Sequence, residues 1–309
     1  MKVSFRELHR TVKLRLIIQF VGGLTSTMVM PFLAIYFSKM VGETLTGLMF
    51  VGVLLAGVAG GFFGGYYADK FGRKKVMIIC ESVSFLTYLL IALFNSPWIE
   101  APYVTALLFV VNVFFGGMFG PAAQAMLLDV SDAGSRKLIF TISYWLGNLA
   151  GGLGGILGGF WFEAYHFYLF LTVGMVSLVS VLATVFFISE TKPQVESPGV
   201  ERATPAKKKK KKSGDSKYKS AFKDRPFLLY FTACLLLLTI EQQLPNYIGV
   251  RLSKELPDQA IFHSAFWSLK VDGIKMLGIL RTENTFLVVL MGALVSRLMK
   301  DLKTDGSFC

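Results

Sequence analysis

Apolar residues in this chain are grouped in long blocks rather than in stripes separated by polar positions. Eight blocks stand out: Leu14–Phe37, Leu45–Tyr67, Val76–Phe94, Tyr103–Leu128, Leu138–Phe162, Phe167–Ile188, Phe227–Val250 and Thr282–Met299. A run of about 18 or more such residues is long enough to cross a hydrocarbon layer of about 30 Å as a helix. Backbone amides cannot stay unpaired in lipid, so each block is predicted to be helical. A membrane β-barrel would need alternation over segments of about ten residues, and the chain shows none. The predicted fold is therefore an all-α integral membrane protein with eight spans. The first block follows a basic stretch, as a signal peptide would. It is too long for one and no small-residue cleavage site follows it, so it is retained as a span.

Composition supports this reading. Hydrophobic residues make up 53% and charged residues 17%, against about 25% charged in soluble domains. The formal net charge of +12 would suggest nucleic acid on a soluble protein. Here the cations fall in the alternate connections between spans. With the N-terminus in the cytoplasm, the cytoplasmic segments hold 26 of the 32 lysines and arginines, a clear positive-inside bias. Topology therefore explains the charge, and no nucleic-acid partner is expected. The connections among the first six spans are mostly short. Residues 190–225 then form a linker with six consecutive lysines, Lys207 to Lys212. Such a like-charge block repels itself and would attract anionic lipid on the cytoplasmic side. The expected division is a six-helix bundle over 1–189, a basic cytoplasmic linker over 190–225, and a two-helix part over 226–309.

The sharpest local pattern lies between the second and third spans, on the basic side: Gly65-Tyr66-Tyr67-Ala68-Asp69-Lys70-Phe71-Gly72-Arg73-Lys74-Lys75. Gly65 permits close helix approach and Gly72 a tight turn. Asp69 can accept from a helix N-terminus, and Arg73 offers a fork for a carboxylate. The segment resembles the signature loop of the major facilitator superfamily, G-x-x-x-D-x-x-G-R-[KR]-[KR], at every anchor position. The resemblance implies a latch, formed with Lys74 beside Arg73, that closes the cytoplasmic side in one state and opens it in the other. It also implies that an acid ending helix four pairs with the signature arginine. Here that acid is Asp129, with Arg136 at the start of span five as a further relay member. Six helices, a long linker and further helices match the plan of that fold, whose halves are parallel repeats. Only two helices of the second half are present, so the chain reads as truncated after helix eight.

Span five carries Gly147, Gly151, Gly155 and Gly159 at four-residue spacing, which places them on one helical face. In lipid such a face admits another helix closely. It resembles the glycine-rich helix-five motif of drug antiporters, which faces the other half of the protein, although Ile156 stands where that motif has proline. A second glycine face, Gly57, Gly60, Gly61, Gly64 and Gly65, runs along span two, and its answering helix is expected among those missing. Span seven holds Glu241-Gln242-Gln243-Leu244-Pro245. An ionisable group inside a membrane is costly and usually faces a cavity. This stretch, with Ser143-Tyr144-Trp145, is similar to LmrP-like multidrug antiporters, although Ser143 replaces an acid. The resemblance implies proton or substrate roles for Glu241, Gln242, Asn112 and Asn148. Asn112 stands where such antiporters often carry arginine. It also places Gln19, Thr25, Ser26, Met28 and Met30 of span one at a central cavity.

The implied function is secondary transport by alternating access: proton-coupled efflux of small amphipathic compounds through the plasma membrane, with lipid, a small-molecule substrate and protons as partners. A carrier for another small solute and a non-transporting fragment are the alternatives. No His-Glu-x-x-His, Gly-x-Ser-x-Gly or phosphate loop occurs. No catalytic residue, metal or cofactor is therefore expected. Cys80, Cys234 and Cys309 have no metal or disulfide spacing.

Overall fold

In the computed structural model, Phe5 and residues 8–191, 224–264 and 267–304 are described. The polylysine segment and the carboxyl-terminal Cys309 lie outside the described residues. Met1–Lys192 and Ile248–Cys309 form one compact unit, and Pro193–Tyr247 forms the other.

The first span is a helix broken by its proline. His9 caps α1 (Arg10–Val29) by accepting the Thr11 amide at its ring nitrogen Nδ1. Pro31 has no amide hydrogen and disrupts the ladder, so a 3-10 turn at Met30–Phe32 intervenes before α2 (Leu33–Val41). Gly42, at φ +86°, turns the chain into α3 (Glu43–Phe71), and Gly72, at φ +105°, turns it into α4 (Arg73–Leu93). Both positions are left-handed and favour glycine. A two-residue hairpin, β1 (Asn95–Ser96) with β2 (Ile99–Glu100), leads to α5 (Pro102–Asp129), which opens on Pro102. Proline suits the first helical turn, where its missing donor is not needed.

Spans five and six appear as α6 (Ala133–Phe187), 55 residues with a break at Tyr165, where the backbone leaves helical angles (φ −133°, ψ 26°). A straight helix of that length would run about 80 Å, far more than a bilayer is thick. Its contacts show two opposed legs. Near its start Ile139 packs with Val12 and Leu16. At the break Glu163 pairs with Lys39 at 2.7 Å. At its end Phe187 lies under Arg10, and the Val185 carbonyl accepts from Lys74. The chain thus rises to Glu163 and returns. α6 opens on a capping box in which Asp132 accepts from the Ser135 amide at 2.7 Å and Ser135 Oγ accepts from the Asp132 amide. The Ser135 side chain and then its backbone hold the Asp132 carboxyl below its ordinary 3.8. The stabilisation is therefore complete above that value and is lost only as pH falls below it.

Two ends of the bundle follow. One carries residues 8–16, 69–75, 127–139 and 185–191, and with them every lysine and arginine of the described residues 8–191 except Lys39. The other carries Tyr36 hydrogen-bonded to Asn95, Lys39 with Glu163, and Glu43 with Lys254. Six crossings connect them, as expected for the first six spans. Five described helices are long and apolar enough to cross a membrane, and α6 supplies the extra crossing. At the second end Phe32, Tyr36, Phe37, Phe109, Phe162 and Phe170 fill the core.

Beyond residue 223, α7 (Arg225–Glu255) contains the predicted seventh span. α8 (Gly273–Thr304) contains the eighth and starts nine residues before the predicted Thr282. Between them β3 (Gln259–Ser264) pairs antiparallel with β4 (Trp267–Val271). Apolar periodicity does not reveal so short a hairpin.

Glycines set the helix spacing. On α3 a methyl at Gly60 or Gly64 would strike the α5 backbone at Phe114 or Met118. The span-two glycine face is therefore answered by α5, and the expectation of an absent partner is corrected. Gly65 has open space at its Cβ position among the described residues, so close approach is not its role here. On α6, Gly154 and Gly158 meet α1 at Thr27 and Met28, while Gly155 and Gly159 meet Gly278 of α8. Thr282 donates to the Gly152 carbonyl at 2.8 Å. Gly151 also faces α8 at Thr285, whereas Gly147 has nothing within 4 Å of its Cβ position among the described residues. Replacing Gly64 by leucine forces α3 from α5. Overpacking of this kind costs about 1–3 kcal/mol, so the expected result is a thermal-unfolding midpoint lowered by several degrees in detergent, with Gly65→Leu near wild type.

Candidate functional site

The signature loop sits where α3 gives way to α4. Gly72 reverses the chain there, so Arg73 points back under α3. Its Nη2 lies 3.2 Å from Asp69, its Nη1 donates to the Ala68 carbonyl at 3.3 Å, and its Nε stands 3.1 Å from Asp129 Oδ2. The Nε contact has ion-pair distance without hydrogen-bond alignment. The Arg73 side chain is only 10% exposed, so one buried fork holds carboxylates from α3 and α5 together. Asp129 also accepts from the Thr191 hydroxyl at 3.3 Å. Arg136 does not reach Asp129 in the described contacts; its guanidinium lies 3.5 Å from the Leu128 carbonyl.

Sequence reasoning missed Glu190. The sequence assigns this residue to the linker. In the structure its carboxylate accepts from the amides of Arg73 at 2.9 Å and Lys74 at 3.4 Å, which caps α4. That is the anion position the sequence suggests for Asp69, and a carboxylate there meets the positive end of the helix. The only available signal was an acid placed immediately after an apolar block. Glu190→Gln keeps the shape but weakens the charge-assisted contacts. Its expected effect is an unfolding midpoint a few degrees lower, with Glu163→Gln as the exposed control.

A cavity of about 750 Å³ opens between α1, α4, α5 and both legs of α6. Its lining starts near the basic end at Arg15, Leu127 and Phe140. It stops at Met30, Tyr88 and Val173, beneath the aromatic cluster. Gln19, Thr25, Ser26 and Met30 of the first span line it, whereas Met28 is in the core. Asn112 lines it and donates to Ser84 and Thr87, both at 2.9 Å. Asn148 is half-buried and bonds its own helix at the Tyr144 carbonyl. Glu241 and Gln242 fall in α7, with side chains outside the described residues.

The most charged part of the cavity wall was also not read from the sequence. Arg15 of α1 and Glu81 of α4 form an ion pair at 3.1 Å, with side chains 5% and 7% exposed. Ser180 from the second leg of α6 donates to the same carboxylate oxygen, and the Arg15 guanidinium lies 5.0 Å from the Phe119 ring centre. The other oxygen, Glu81 Oε2, has no hydrogen-bond partner among the described residues; nor do Tyr88 Oη and Ser143 Oγ. The signal for Glu81 was an acid eight residues into an otherwise apolar helix, which the intramembrane-charge rule flags. Its partner, 66 positions away, looks like an ordinary interfacial cation. Chemically, a proton on Glu81 would cancel its attraction for Arg15 and leave a buried cation in search of another partner. The site can therefore couple protonation to rearrangement of three helices. The described residues contain no cluster of metal-ligating side chains.

The family pattern described as Major Facilitator Superfamily matches residues 15–302, and the chain belongs to that family of membrane transporters. A "Na(+), Li(+), K(+)/H(+) antiporter" of Planococcus maritimus is 33% identical over 300 residues, covering 96% of this chain and 70% of that protein. The "Tetracycline resistance protein, class B" of Escherichia coli is 30% identical over 177 residues, 56% of this chain and 40% of that one. Among solved structures, a peptide transporter in complex with alafosfalin aligns with a TM-score of 0.60 at 15% identity, covering 97% of this chain and 70% of that one. At that identity the likeness is one of fold alone.

Proposed function

We propose that this chain is a proton-coupled antiporter of the plasma membrane, close to the LmrP-like drug exporters, that moves small amphipathic compounds out of the cell by alternating access. The observation that carries this reading is the buried Arg15–Glu81 pair in the cavity wall. A volume of about 750 Å³ suits a drug-sized molecule. In the proposed cycle a proton enters from outside, protonates Glu81 and frees Arg15. The bundle then changes state, cargo binding from the cytoplasm displaces the proton to that side as the pair re-forms, and the loaded bundle returns to release the cargo outside. The basic end, the N-terminus and the polylysine linker are cytoplasmic by the positive-inside rule. The Arg73–Asp129–Asp69 cluster acts as the latch on that side. Glu241 and Gln242 are further proton or cargo positions on α7.

A second reading, exchange of protons for alkali cations, is favoured by the Planococcus relative's name. Everted membrane vesicles separate the two. With the interior acidified by respiration, ethidium should collapse the proton gradient of vesicles carrying the chain, read as dequenching of a pH-sensitive dye. Dequenching by Na⁺, Li⁺ or K⁺ but not by ethidium selects the cation reading. No response beyond empty-vector vesicles to either cargo contradicts proton exchange.

A further inference from the structure

The signature loop leaves one of its cations unused by the latch. Arg73 takes Asp69 and Asp129, Lys74 donates to the Val185 carbonyl at 2.8 Å, and Lys70 lies over the Tyr66 and Phe71 rings. Lys75 is exposed and has no ion pair or hydrogen bond among the described residues. It stands on a separate groove of about 450 Å³ whose other walls are Tyr67, Phe71, Val76, Ile79 and Met118. One wall is flat. Phe63, Tyr67 and Phe71 stack in sequence along α3, with ring centres 6.1 and 5.6 Å apart and planes within 22°. At 1.5 Å per residue this column runs about 12 Å along the helix. The opposite wall belongs to a stripe of α4 on which Ile79, Leu86 and Leu93 are about half exposed. In a membrane that stripe faces acyl chains.

We propose that this groove is a binding site for one anionic phospholipid of the leaflet at the basic end. The acyl chain lies along the Phe63–Tyr67–Phe71 wall against Ile79 and Met118, and the headgroup phosphate pairs with Lys75. The groove's position favours lipid over a soluble partner, because its apolar floor lies on the membrane-facing flank. Its charge favours an anionic lipid: Lys75, the loop's remaining cation, borders the groove, and both acids nearby on the loop and on α5 are engaged with Arg73. Because Val76 and Met118 belong to the core beneath the latch, a seated lipid would brace α3, α4 and α5 in the arrangement that holds Arg73 to Asp129.

Photo-crosslinking tests the site without reference to transport. The full chain is reconstituted in vesicles of phosphatidylcholine with 30% phosphatidylglycerol, carrying a trace of a diazirine-tailed phosphatidylglycerol or phosphatidylcholine probe. The proposal expects the phosphatidylglycerol probe to label the peptide containing residues 63–79 in preference to the choline probe. Lys75→Gln should cut that labelling about fivefold, in line with roughly 1 kcal/mol per basic residue at an anionic surface. Lys75→Arg should keep it, and Lys137→Gln should not change it. Equal labelling by the two probes, or a Lys75→Gln protein labelled like wild type, overturns the proposal. A fall in Lys75→Gln labelling counts only if that protein keeps the wild-type unfolding midpoint; otherwise Lys75→Met with brominated-lipid quenching decides, undiminished preference for the anionic lipid again overturning it.

Discussion

Glu81→Gln is expected to abolish proton-driven exchange while leaving the protein in the membrane. The substitution keeps the size of the side chain and its contact with Ser180, but removes the charge that balances Arg15. Breaking one side of a buried ion pair costs about 3–5 kcal/mol, because the remaining charge is left uncompensated. The unfolding midpoint should therefore drop as well. Stability and transport are separated by removing both charges. Arg15→Met with Glu81→Leu deletes the unpaired charge and replaces it with apolar volume, which is often neutral or stabilising. The double variant should recover much of the wild-type midpoint and none of the exchange. If it recovered exchange too, the pair would be structural and the coupling would lie elsewhere.

Arg73→Lys should be the next most damaging change. A lysine retains the charge but loses the fork that reaches Asp69, Asp129 and the Ala68 carbonyl at once. Hydrogen bonds to charged groups contribute about 1.5–3 kcal/mol each in buried settings, so loss of even one should loosen the basic end. The expected outcome is a transport rate lowered about tenfold, with faster maleimide labelling of a cysteine placed at Thr191, which borders Asp129. Unchanged labelling together with unchanged transport would remove Arg73 from the latch.

The parts of this molecule that were legible in the sequence are local. The membrane blocks, the left-handed turn at Gly72 and the glycine spacing on α6 each follow from residues within a few positions of one another. Asp129 opposite Arg73 was legible only through resemblance, since 56 residues separate them. What stayed hidden depends on tertiary placement. Arg15 looked like one more interfacial cation until α4 placed Glu81 beside it. Glu190 looked like the first residue of a linker until the return leg of α6 brought it to the amides of α4. The glycines of α3 gave a packing face but not its partner, because a small-residue stripe records how closely a neighbour comes and not which neighbour it is. The reversal inside α6 was legible as the break between the apolar blocks ending at Phe162 and starting at Phe167, although Tyr165 itself is neither proline nor glycine.

Proton release on cargo binding is the most direct measurement of the coupling assigned to the cavity. Purified protein in a weakly buffered detergent solution is equilibrated at a series of pH values from acidic to neutral, ethidium is added at each, and the pH change is followed with a soluble indicator. The account predicts release of about one proton per bound cargo from the wild-type chain and none from Glu81→Gln. Release of the same proton from Glu81→Gln would show that the carboxylate beside Arg15 does not carry it.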